Sequence, residues 1–192
     1  QQNCFLEERI DFNDVQFNNA AVRWKEVEAI AFIDCRGYRA GEEGPFTFLP
    51  FNPSKGEVVH FQSEALPEDM VMHSSIKVIP TGKQTYVAGA TYSWHALNTI
   101  PEEGGIQKLT DQLQKIVKVP FKVLKAQAAV RPSTKHRRPM IGKHPEIDRL
   151  FILNGLGSKG VMMGPLLADL MTDYLCKGVE PDAMYRNFES TL

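Results

Sequence analysis

The sequence predicts an α+β fold: a largely antiparallel mixed sheet with flanking helices, followed by a C-terminal strand–loop–helix unit. Three observations carry this. Short β-type runs recur between Asn/Asp-rich and Gly/Pro-containing turns across residues 5–92. One apolar stripe, Ile106, Leu109, Leu113, Ile116 and Val117, predicts an amphipathic helix over 101–118. Near the end, the apolar run from Leu150 to Leu153 enters a glycine turn, and Leu166, Leu167, Leu170, Met171 and Tyr174 then recur at helical spacing. Strands, one long helix, strands and a terminal helix make an α+β order rather than a regular alternation.

In chain order, Phe5–Leu6, Val15–Phe17 and Ala21–Trp24 read as extended segments parted by turns at Asn13-Asp14 and Asn18-Asn19. Ala29 to Ile33 is continuously apolar, which predicts a strand buried on both faces. It ends at a polar corner, Asp34 to Tyr38, containing Cys35 and Gly37. Pro45 to Pro53, with three phenylalanines, reads as a packed loop. A strand follows at 57–61, then a hairpin with arms at 76–79 and 85–88 and a turn at 80–83. Alternation sets Lys77 and Ile79 on one face of the first arm, with the lysine expected on a solvated face. Thr99 to Glu102 resembles a capping box with proline in the first turn, and Pro120 closes the helix. Residues 121–130 form a strand broken by Arg131-Pro132, and 132–145 reads as a loop carrying Lys135 to Arg138.

Composition narrows the function classes. The 192 residues suffice for one sizeable domain or two small lobes. Lys plus Arg is 22 against 23 Asp plus Glu, a net charge of -1, which argues against a dedicated nucleic-acid or membrane-surface binder. Cys4, Cys35 and Cys176 are odd in number and widely spread, so they give no disulfide framework or zinc spacing and point to a reducing, cytoplasmic setting. No apolar run reaches the about eighteen residues of a membrane span. The five histidines show no metal-ligand spacing.

Two places carry candidate chemistry. Gly155, Gly157 and Gly160 stand in the pattern G-x-G-x-x-G between a strand and a helix. Free backbone N–H groups and the positive helix end can there receive an electron-rich group. A tight strand-to-helix turn is the plain alternative. A dinucleotide-binding βαβ unit is rejected, because Glu180 lies in a turn-rich segment and no returning strand fits before Leu192. Arg131, held extended by the following proline, can clamp a carboxylate through two parallel hydrogen bonds or form a salt bridge at a strand end.

Several segments together resemble the FAD-dependent D-amino-acid oxidase superfamily, which includes glycine and sarcosine oxidases. They are Ala129 to Gly142, Asn154 to Gly160, Pro165 to Ala168, the hairpin from Ile76 through Thr91, and the strand and corner from Ala31 to Gly37. The resemblance implies that Cys35, Gly37, Gly155, Leu156, Gly157, Ser158, Lys159, Gly160 and Val161 lie along FAD. The helix dipole there would stabilise negative charge at N1 and O2 of the reduced flavin. It implies substrate roles for Arg131, matching the carboxylate-binding arginine, and for Lys77 and Tyr92 at pocket-lining positions. His136 replaces the family's usual aspartate, and Lys77 replaces a tyrosine.

The same resemblance implies a division into 1–130, mainly substrate-binding but with the FAD-domain strand and corner at 29–40, and 131–192, a C-terminal flavin-facing segment. The family's N-terminal Rossmann half, which holds most of FAD, has no counterpart in this chain. The implied activity is oxidation of an amine or amino acid by hydride transfer to flavin, with this part alone inactive. The expected partner is a small molecule rather than nucleic acid, and a homo-oligomer is compatible. Two other readings stand beside it: a non-catalytic binding domain of the same fold, and the oxidase half of a tRNA-modifying enzyme, for which Lys135 to Arg138 is the one basic feature.

Overall fold

A computed structural model describes residues 5–186, so Cys4 lies outside the described residues. The strands in chain order are β1 (Gln16–Phe17), β2 (Val22–Trp24), β3 (Val27–Ala29), β4 (Phe32–Asp34), β5 (Ser54–Gln62), β6 (Met72–His73), β7 (Lys77–Gly82), β8 (Thr85–Gly89), β9 (Lys122–Arg131), β10 (Met140–Lys143) and β11 (Leu150–Asn154). The helices are α1 (Glu103–Ile116) and α2 (Gly160–Lys177). The fold is α+β with mostly antiparallel pairing. The chain forms two compact units, one of residues 53–131 and one from the segments on either side of it. No helix among the described residues is long and apolar enough to cross a membrane.

The central unit is a five-stranded antiparallel sheet in the order β6-β7-β8-β5-β9. Helix α1 lies on one face. Its Leu109 and Leu113 pack on Val59, Phe61, Val78 and Tyr86, so the stripe read from the sequence is the buried one. Each of those two leucines is fully buried and contributes about 2 kcal/mol by burial. The expected capping box does not form: Glu102 is the N-cap residue and no side chain caps the helix. Instead the Glu102 N–H donates to the carboxylate of Glu57, from the neighbouring strand.

The hairpin turn is the two-residue pair Lys83-Gln84 rather than 80–83. Both residues have positive φ, 54° and 58°, the geometry that matches the twist of paired strands, so β7 runs on to Gly82. Strand β5 pairs with β9 along its whole length, with an irregularity between His60 and Phe61.

In the other unit, β11 pairs antiparallel with β10 and parallel with β4. Helix α2 packs Leu167 and Met171 on Ile141, and Gly178 ends it in the left-handed conformation. The packed loop is confirmed at Phe46, which is fully buried with Met140, Leu150 and Ile152. Three expectations are corrected. Residues 132–145 are not all loop, because Met140 to Lys143 pair with β11. The run 29–33 is not one strand buried on both faces: Ile30, in the break between β3 and β4, is 69% exposed, and Ile33, on the end strand of its described sheet, is exposed too. Phe5-Leu6 is irregular rather than extended in a sheet.

Candidate functional site

In the central unit, β9 ends at Arg131, whose register partner on β5 is Ser54. Side-chain alternation sends Lys55, Glu57, Val59 and Phe61 toward α1, and Gly56, Val58 and His60 to the opposite face. Arg131 lies across Gly56 on that opposite face. A Cβ at Gly56 would meet Arg131 Nη2 at 2.0 Å, so only glycine leaves the guanidinium its place. Nη1 donates to the Lys55 carbonyl at 3.2 Å, and Nη2 to the Thr91 carbonyl at 3.2 Å. The guanidinium carbon sits 4.1 Å from the centre of the Tyr92 ring.

Arg131 therefore does not form the salt bridge that was its plain alternative. No carboxylate among the described residues lies within ion-pair distance of it. Two neutral carbonyls orient the group without cancelling its charge, and further N–H donors of its five remain for a ligand. A hollow of about 330 Å³ opens beside it, lined by Gly56, Val58, Gln127, Ala128, Ala129 and Arg131. Small side chains make the floor and a guanidinium the wall. This arrangement can bind a small carboxylate.

Lys77 is exposed and lies on the same face as Arg131, as its alternation predicts. In the sheet order β8 and β5 stand between its strand and β9, so about three strand spacings, roughly 14 Å, separate the backbones. Lys77 and Arg131 are not brought together; Tyr92 and Arg131 are. Sequence reasoning missed Gly56, whose role depends on a side chain 75 positions away, and the buried charges beneath it. Lys55 is 1% exposed, with Nζ donating to Glu102 Oε1 at 2.9 Å and Asn98 Oδ1 at 3.1 Å.

The other unit brings the corner and the glycine loop together. Because β4 and β11 run parallel, both end on the same sheet edge, the usual position for ligand loops in such sheets. Asn154, at the end of β11, donates from Nδ2 to the Gly37 carbonyl at 2.9 Å, while its Oδ1 accepts the Gly155 N–H. Gly37, Gly155 and Gly157 have φ of 67°, 76° and 56°. Gly155 is doubly required, since a Cβ there would lie 2.7 Å from Thr134 Cγ2. The Gly157 N–H donates to the Pro132 carbonyl, fixing the middle of the loop.

Ser158 and Lys159 are exposed at the tip. Lys159 is the N-cap residue of α2, but no side chain among the described residues caps the helix, and Val161 in its first turn is 99% exposed. The amide end of α2 is thus open to a ligand. Leu156 faces inward against the Ile141–Leu167 cluster. Cys35 stands beside this edge. Desolvation by its neighbours, and then the Asp34 charge, raise its thiol pKa, although part of the residue remains exposed. A raised thiol pKa keeps the group protonated at neutral pH. Buried Asp34 is held by Arg36, with Nη2 to Oδ2 at 2.8 Å.

Residues 8–174 match the DAO family model, described as FAD dependent oxidoreductase. The glycine oxidase of Bacillus licheniformis is 28% identical over 128 residues, covering 65% of this chain and 35% of that protein. The tRNA 5-methylaminomethyl-2-thiouridine biosynthesis bifunctional protein MnmC of Marinobacter nauticus is 27% identical over 191 residues, covering 85% of this chain and 30% of that one. Among solved structures, the glycine oxidase of Bacillus cereus superposes with a TM-score of 0.73 at 21% identity, over 89% of this chain and 50% of that one. Iminodiacetate oxidase from Chelativorans sp. BNC1 gives 0.72 at 21% identity, over 88% and 49%. The chain spans about a third of the length of these curated relatives and about half of these solved chains. It belongs to the DAO family of FAD-dependent oxidoreductases.

Proposed function

We propose that this chain supplies the substrate-capturing sheet and the flavin-facing loop of an oxidoreductase acting on a small amine or amino acid. The observation that carries the reading is the Arg131 guanidinium, oriented by two carbonyls and a ring yet left without an acidic partner among the described residues. A carboxylate placed there would be gripped in two-point fashion while the rest of a small substrate occupies the hollow.

FAD fits the other unit on the structure's own terms. The loop from Gly155 to Gly160 has glycines at positive φ, an uncapped helix amide end and an exposed tip, which suit an electron-rich planar edge. Gly155, Leu156, Gly157, Ser158, Lys159, Gly160 and Val161 would hold that edge, with Cys35 and Gly37 beside it. When bound, FAD supplies the redox chemistry by accepting a hydride from the amine-bearing carbon. The chain's own part is to bind and orient: Arg131 fixes the carboxylate, Tyr92 fixes Arg131, and the α2 amide end favours negative charge. In this reading most of FAD is held by a part of the protein that this chain does not contain, and the chain alone turns over nothing. The separated cysteines support a cytoplasmic setting.

The relationship to MnmC favours one further reading, an oxidase acting on modified tRNA. Lys135 to Arg138 is exposed, in a turn closed by Thr134 Oγ1 donating to the Arg138 carbonyl at 2.8 Å. A salt-dependent gel shift with tRNA would support it.

The test of the main reading is anaerobic addition of amino acids and simple amines to the full-length, FAD-loaded protein. Bleaching of the visible flavin band by one of them is the expected result. No bleaching across glycine, N-methylglycine and other small amino acids would contradict it.

A further inference from the structure

Thr91 is held to Glu57 at three points. Its N–H donates to the Glu57 carbonyl at 3.1 Å. Its hydroxyl donates to Glu57 Oε2 at 3.0 Å and accepts the Glu57 N–H at 2.9 Å. The other carboxylate oxygen, Oε1, accepts the Glu102 N–H at 2.7 Å, at the start of α1.

Glu57 is 5% exposed, and the room for it is made by Gly105, where a Cβ would lie 1.6 Å from Oε2. No cationic side chain among the described residues stands within ion-pair range of it. A buried carboxylate is costly to keep and is tolerated when its hydrogen bonds are complete. Further along the same strand face, Val59 and Phe61 fill the equivalent positions with apolar side chains. Packing alone therefore gives no reason for a carboxylate at this place.

The reason lies on the other side of the strand. The Thr91 carbonyl accepts from Arg131 Nη2, and Tyr92, next in the chain, carries the ring against the guanidinium. Whatever fixes the Thr91 backbone fixes two of the three contacts that orient Arg131. The third, the Lys55 carbonyl, lies on β5 two residues before Glu57.

We propose that Glu57 is a positioning residue for the Arg131 anion site, acting through Thr91. This rests on the reading of Arg131 as a carboxylate-binding group. The buried carboxylate on the covered face locks Thr91, and the lock sets the direction of the guanidinium on the open face. A purely structural Glu57, serving α1 alone, would lower thermal stability and leave the anion affinity of the folded protein unchanged.

The test is an acetate titration at constant ionic strength, followed through the backbone amide signals of Gly56 and Tyr92 in every variant, and through the side-chain Nε–Hε NMR signal of Arg131 in those that keep the arginine. Backbone amide spectra establish folding of each variant beforehand. Thr91→Val removes the hydroxyl at constant volume, Thr91→Ser keeps it, and Glu57→Gln removes the charge. Loss of the charge-assisted bond weakens acetate about tenfold in Thr91→Val and Glu57→Gln and moves the acetate-free Arg131 signal, while Thr91→Ser stays within about twofold.

If Thr91→Val does not fold, Glu57→Gln and Thr91→Ser decide by the same criteria. Unchanged acetate affinity in the folded variants, with Arg131→Lys weakened, overturns the positioning role and leaves the anion site standing. Unchanged affinity in Arg131→Lys overturns the anion site itself, and the role of Glu57 with it.

Discussion

The Arg131 guanidinium carbon lies 4.1 Å from the centre of the Tyr92 ring, and no carboxylate among the described residues pairs with that guanidinium. A ring face attracts a cation without neutralising it, a contact worth about 0.5–2 kcal/mol. Tyr92 is 57% exposed, so the stacked pair stands at the surface of its unit rather than inside it. In the proposed function the pair serves as a preformed anion receptor, and what holds it can be altered residue by residue.

Gly56→Ala separates binding from stability. The new Cβ would overlap Arg131 Nη2, the mobile end of a long side chain, which can move aside with little loss of packing. The expected result is a Tm within about 2 °C of wild type and a carboxylate affinity lowered about tenfold, as one charge-assisted bond is lost. Thermal melts and acetate titration check it.

Gly105→Ala sets two effects against each other. Helix propensity favours alanine by about 1 kcal/mol in α1. The Cβ, however, would lie 1.6 Å from Oε2 of the buried Glu57 carboxylate, whose two oxygens are each held by a hydrogen bond, Oε2 by the Thr91 hydroxyl and Oε1 by the Glu102 N–H. Clash with a fixed buried group wins, and the variant loses about 2–3 kcal/mol in urea unfolding.

How much of this was legible in the sequence differs by residue type. The α1 stripe, the β5 and β7–β8 runs and the loop at Gly155 were readable, because apolar period and glycine spacing are local signals. The chemistry at Arg131 was partly readable, since the following proline marks the strand end. Lys55 and Glu57 were not, because a charged side chain reads as solvated unless its distant partners are known. For Lys55 those partners are Asn98 and Glu102, and for Glu57 they are Thr91 and Gly105. Ile30 and Ile33 failed for the opposite reason: an apolar run says that something can cover it, not that anything does. Strand β10, only four residues long and directly after a basic turn, is too short for a periodic signal.

The Lys55–Glu102 pair should respond unequally to removal of its two members. Lys55→Met replaces a buried ammonium by an apolar chain of similar length and leaves half-exposed Glu102 to solvent, so stability changes by less than about 1 kcal/mol. Glu102→Ala leaves the ammonium buried with Asn98 alone and costs about 2 kcal/mol. Equal losses by chemical denaturation would contradict the account.

Cys35 should be a slow thiol. Desolvation and the Asp34 charge raise its pKa, so at pH 8 its iodoacetamide reaction is slower than that of the same residue in the denatured chain. The sign for stability follows. The folded state keeps a proton that the unfolded state releases, so stability falls as pH rises past the ordinary thiol value. Mass spectrometry of the Cys35 peptide over time gives the rate.

The most direct measurement compares an amino acid with its decarboxylated amine in the full-length, FAD-loaded protein, before and after Arg131→Ala. A carboxylate clamp predicts that kcat/KM for the amino acid falls about a hundredfold, close to 3 kcal/mol, while the amine is hardly affected. Equal loss for both substrates, or loss for neither, would contradict the assignment of Arg131.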